Sequence, residues 1–139
     1  MYATPERYHG KPEKIDTDIT SFMTGHGFNG FHTYVCRRWF DIGEMRSDHI
    51  KSKDPNPDPR TFEALELLIT KVHAAGGVVH IWAWGDEARR WTPARWGKNG
   101  TADQRLHRYI VARLGPLPGW TMGYGFDNFE WVNEDDLQN

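Results

Sequence analysis

Hydrophobic periodicity switches between helix and strand three times along this chain, and that alternation restricts the folds open to it. Ile15, Ile19, Phe22 and Met23 recur at helical spacing, with Asp16 or Thr17 placed to cap the segment and Gly25 and Gly27 to close it. Phe28 to Cys36 follows, rich in β-branched and aromatic residues, and reads as a strand. Asp58 is placed to cap a second helix with Pro59 at its first position. Phe62, Leu65, Leu68, Ile69 and Val72 form the apolar face of that helix, and Gly76-Gly77 end it. Val78 to Trp84 is the second strand, bulky on both sides, as in a parallel strand covered on both faces. Thr101-Ala102-Asp103-Gln104 has a capping-box pattern and opens a third helix. Leu106, Tyr109, Ile110 and Leu114 share one of its faces, and Gly115-Pro116 stop it. Trp120 to about Asp127 is the third strand, and Asn133 to Asn139 begin another helix. Strictly alternating units of this kind imply an α/β fold with a parallel sheet.

The loops are unequal. Arg37 to Asp58, with its alternate prolines, and Gly85 to Gly100, with Trp91 and Trp96, are long, and both follow strands. The connections before the strands are tight. In a barrel of βα units the loops after the strands build the active site. The expectation is therefore a partial (β/α)8 TIM barrel, one truncated domain over residues 1–139. A whole barrel takes about 250 residues. Met1 to Lys14 reads as the loop after a missing first strand, so the chain would hold strands two to four and lack five to eight. A short internal echo agrees: His32 aligns with His80, and Tyr34 with Trp82.

Composition excludes some partners. A net charge of −2 with scattered basic residues argues against phosphate-backbone binding, so no nucleic acid is expected. No apolar run approaches the ~20 residues of a membrane span. The polar, proline-containing N-terminus does not read as a signal peptide. One cysteine, Cys36, allows no intrachain disulfide and reads as a buried thiol. Aromatic residues make up 14% of the chain, with seven Trp, and flat rings with a polar edge suit sugars, nucleobases and interfaces.

Period-two alternation puts His32, Tyr34 and Cys36 on one face of the first strand, and His80, Trp82 and Trp84 on one face of the second. These faces are expected to point into the barrel, toward its mouth, as substrate-binding groups, with satisfied interior residues as the plainer reading. No third ligand has diagnostic spacing, so neither metal nor cofactor is assigned. The third strand ends in Gly123-Tyr124-Gly125-Phe126-Asp127-Asn128-Phe129-Glu130-Trp131. The glycines leave room inside a barrel. Asp127 and Glu130 are the candidate catalytic acids, with Asn128 and Trp131 beside them. A carboxylic acid among aromatic rings loses solvation and its pKa rises, which suits a general acid acting on a glycosidic oxygen. Glu134 is a further acid in the following helix. Asp86 and Glu87, after the second strand, are placed to hydrogen-bond sugar hydroxyls.

The run Gly27-Phe28-Asn29-Gly30-Phe31-His32 resembles the second strand of clan A glycoside hydrolases. The run from Arg108 through Pro118 and Trp120 to Glu130 is similar to the third helix and fourth strand of that clan, closest to apiosidase-like and related bacterial barrels. The resemblance covers about residues 15 to 135. It implies an acid/base residue at the end of the fourth strand and a nucleophile on strand seven, which this chain lacks. Phe129 precedes Glu130 where the family often has Asn, and ungapped counting from Pro118 selects Asp127, so the acid/base stays open between the two. The function implied is an O-glycoside hydrolase on a poly- or oligosaccharide, retaining if it follows its clan, with this piece inactive alone. Two alternatives remain: a non-catalytic carbohydrate-binding or remnant barrel domain, and a metal-dependent barrel hydrolase using His32 and His80.

Overall fold

A computed structural model of the chain describes residues 2–43, 55–84 and 100–125. Four strands form one parallel sheet: β1 (Tyr2–Ala3), β2 (Gly30–Tyr34), β3 (Val78–Trp84) and β4 (Trp120–Gly125), hydrogen-bonded in the order β1-β2-β3-β4. The helices are α1 (Pro5–Tyr8), α2 (Pro12–Asp18), α3 (Pro59–Ala74) and α4 (Thr101–Leu114). The parallel α/β organisation expected from the alternation is what the chain forms.

The N-terminal stretch differs from expectation. Met1 to Lys14 reads as loop, yet Tyr2 and Ala3 pair in parallel with His32 and Thr33. Two residues are too few for alternation to register in a sequence. Pro5 and Pro12 occupy first helical positions, where a missing N–H costs nothing. For the same reason α2 starts at Pro12, and Asp16 and Thr17 lie inside it rather than capping it. The Thr17 hydroxyl instead donates back to the Glu13 carbonyl at 2.9 Å. α2 widens into a π-helical turn over Ile19–Thr24, closed by the Gly25 amide donating to the Thr20 carbonyl at 2.9 Å.

The middle of the chain follows its sequence signals closely. Asp58 caps α3, accepting from the Arg60 amide at 3.0 Å, and also accepts from the Ile42 amide at 2.8 Å, so it ties the preceding loop to the helix. At α4 the capping box fails. The Gln104 amide bonds to the Gly100 carbonyl at 3.0 Å, which makes Gly100 the cap and Thr101 already helical, one residue late for its hydroxyl to serve.

The core lies on one face of the sheet. Phe62, Leu65, Leu68, Ile69 and Val72 of α3 pack against Phe31, Val79 and Ile81 of the strands. Leu106, Ile110 and Leu114 extend this layer from α4, while Tyr8 and Ile15 extend it from α1 and α2. Each such side chain contributes about 1.5–3 kcal/mol by burial. All four helices therefore cover the same face. The opposite face has no described helix on it.

Candidate functional site

Parallel register sets the uncovered face in rows. His32 pairs with His80 and His80 with Thr121, while Tyr34 pairs with Trp82 and Trp82 with Gly123. Paired residues on parallel strands point to the same side. His32 meets His80 edge-on at 5.2 Å between ring centroids, and Trp82 lies 5.0 Å from His32 and 5.8 Å from His80. Gly123 is part of the arrangement, because a Cβ there would stand 3.3 Å from His80 Nε2 and 3.6 Å from Trp82 Cδ1. Burial, aided by the neighbouring His32, holds the His80 pKa below the usual imidazole value. Its Nδ1 is buried with no hydrogen-bond partner among the described residues. The cluster thus offers a half-buried indole and two imidazoles, able to stack on an apolar ring face and to exchange hydrogen bonds with hydroxyls.

Other expected members fall elsewhere. Tyr34 and Trp84 are 3% and 2% exposed and present no free ring face; Trp84 packs near Phe40 at 6.4 Å. Cys36 does not continue the alternation of β2. It adopts φ +51°, turns the chain into a 3-10 turn over Cys36–Trp39 and is buried, with burial pushing its thiol pKa up. His32 is the middle residue of β2 and His80 the third of seven in β3, so the pair lies in the body of the sheet rather than at the mouth formed by the C-terminal strand ends. An open groove of about 450 Å³ borders it, lined by Phe28, Asn29, Gly30 and Val78 among others. Thr121 and Asn29 are members of this site that the sequence reading did not single out, while Gly123, read there as leaving room, borders His80 and Trp82. Counting back by twos from Gly125 along β4 would have found Thr121. Asp86, Glu87, Trp91, Trp96, Asp127, Asn128, Glu130, Trp131 and Glu134 lie outside the described residues.

The end of β2, read as the start of a polar loop, is buried. Trp39 Nε1 donates to the Ala83 carbonyl at 2.9 Å, Arg38 donates to Glu6 at 2.5 Å, and the Thr61 hydroxyl donates to the Arg38 carbonyl. These bonds fasten the C-terminal ends of β2 and β3 to α1 and α3. Among the described residues no three His, Cys, Asp or Glu side chains gather as a metal cluster, and no helix is long and apolar enough to cross a membrane. Comparison with protein-family models, with curated proteins and with solved structures finds no match for this chain.

Proposed function

We propose that the chain supplies the first four strands of a (β/α)8 barrel O-glycoside hydrolase acting on a poly- or oligosaccharide. The supporting observation is the consecutive parallel order β1-β2-β3-β4 with every described helix on one face. A doubly wound sheet reverses its strand order and carries helices on both faces, whereas a barrel does neither. On this reading the uncovered face is the barrel interior, and His32, His80 and Trp82 line it. β4 spans Trp120–Gly125, and Asp127 and Glu130 come two and five residues later in the sequence; barrel enzymes do their chemistry on the segments that follow their strands. Between them Glu130 is the better proton donor. Its sequence neighbours Phe129 and Trp131 are aromatic, and a carboxyl desolvated among such rings would favour its neutral form, while Asp127 beside Asn128 suits an acid that stays ionised.

A retaining mechanism needs a second carboxyl about 5 Å away, which the clan resemblance places on strand seven. The 139-residue chain alone is therefore expected not to turn over aryl glycosides, and measured turnover by it would overturn this reading. In the completed barrel, Glu130→Gln is expected to slow glycosides with poor leaving groups far more than activated ones, since only the former need protonation. The same pattern from Asp127→Asn instead would exchange the two roles. A non-catalytic carbohydrate-binding domain is the second reading. It is favoured by the absence of any carboxylate from the described His–Trp cluster, and leaving-group insensitivity of both variants would select it.

A further inference from the structure

We propose that His32 and His80 form a chelating pair for a divalent transition ion of the Zn2+, Ni2+ or Cu2+ class, on the helix-free face of the sheet. This goes beyond the glycosidase reading and does not depend on it. Three observations carry it. The two residues are register partners on adjacent parallel strands, so the backbone fixes their spacing. Their ring centroids are 5.2 Å apart with planes inclined at 71°. An ion at about 2.0–2.1 Å from an imidazole nitrogen lies about 3.2 Å from the ring centroid, so two imidazoles at a tetrahedral angle have centroids about 5.2 Å apart. The observed centroid separation equals that value, and the His32 side chain is exposed.

The third observation is that the protein leaves ligand capacity unused. His80 Nδ1 has no hydrogen-bond partner among the described residues, and a flip of the ring exchanges its position with carbon. Gly123 keeps space open beside Nε2, and the adjoining groove gives an ion and its waters a path in. Two protein ligands leave the remaining positions to water or another oxygen donor. Imidazole suits Cu2+, Ni2+ and Zn2+, in falling order of affinity, and hard ions such as Mg2+ gain nothing here.

The histidines that pair with carboxylates provide controls. His9, in the turn after α1, lies 3.5 Å from Glu63, and His107, on α4, lies 3.4 Å from Asp103. The test is calorimetric titration of the 139-residue chain with Ni2+ and Zn2+ at neutral pH, with Mg2+ as the negative ion, alongside Cu2+ electron paramagnetic resonance. The expected result is one ion per chain, at least tenfold weaker in His32→Asn and in His80→Asn, and unchanged in His9→Asn and His107→Asn. The Cu2+ spectrum should carry hyperfine structure from two imidazole nitrogens and lose it in either site variant. If His80→Asn does not fold, His32→Asn decides alone, because its side chain is exposed and circular dichroism verifies its fold. Absence of saturable binding, binding that survives His32→Asn, or loss of binding in a control variant would overturn the proposal.

Discussion

Gly119→Ala should be among the most destabilising single-methyl additions in this chain. Gly119 enters β4 at φ +80°, a left-handed conformation that costs an L-residue roughly 1–2 kcal/mol. A Cβ there would also stand 2.5 Å from His73 Nδ1, 2.7 Å from its Cγ and 2.8 Å from its Cβ. A rotamer change could move Nδ1 and Cγ, but Cβ is fixed by the backbone, so its 2.8 Å contact can be cleared only by a shift of the last turn of α3. Overpacking of that kind costs about 1–3 kcal/mol. The sum, about 2–5 kcal/mol, is a large share of the 5–15 kcal/mol typical of a whole domain. With a urea dependence of about 2 kcal/mol per molar, the unfolding midpoint should fall by about 1–2.5 M. Gly10→Ala is the reference, because Gly10 has φ +68° with nothing within 4 Å of its Cβ position, and it should lose only the backbone contribution. A double-mutant cycle with His73→Gly should recover about 1 kcal/mol or more as coupling. Equal losses for Gly119→Ala and Gly10→Ala, or no coupling to His73, would refute the reasoning.

Three further outcomes follow from the same geometry. Gly123→Ala should stay within about 1 kcal/mol of the parent in urea, since its nearest contact is a 3.3 Å approach to a ring edge, yet it should displace the His80 ε1-proton resonance. A loss above about 3 kcal/mol would show that the space beside His80 does not exist. Asp18 accepts from Arg7 at 2.8 and 3.0 Å and from the Tyr8 hydroxyl at 3.1 Å; burial pushes its pKa up, but these partners outweigh it and the net direction is downward. Its contribution is thus present above the unfolded carboxylate value of about 3.9 and lost as pH falls through the lower folded value, so Asp18→Asn should flatten the acid limb of urea midpoints measured from pH 6 to 2. An acid limb as steep in Asp18→Asn as in the parent would contradict that assignment. Cys36, 1% exposed and with its thiol pKa raised, should react with an aromatic disulfide reagent only in denaturant. Rapid labelling of the native chain would contradict its placement.

The sequence disclosed the central βα units because their signals are redundant. Asp58-Pro59, the five-residue apolar face of α3 and Gly76-Gly77 all mark one helix, and β3 was bounded correctly by the same punctuation. Two short-range signals failed. Thr101 looked like a cap but lies one position inside α4, and Cys36 looked like a strand residue but turns out of β2 at positive φ. β1 was invisible because parallel pairing to β2 is a tertiary fact, not a periodic one. At the candidate site, alternation put His32, His80 and Trp82 on one face correctly. It could not say how far along the strands they sit, nor that Tyr34 and Trp84 on that face would be buried, since both depend on where neighbouring strands begin and on what packs beside their ends.

The most direct test of the account is polysaccharide binding by the 139-residue chain, measured by affinity electrophoresis in gels containing soluble plant and microbial polysaccharides. The account predicts that at least one polysaccharide retards the chain. It predicts that Trp82→Ala abolishes the retardation while Met122→Ala, paired with Ile81 on the opposite face, leaves it unchanged. No retardation by any polysaccharide, or retardation that survives Trp82→Ala, would contradict it.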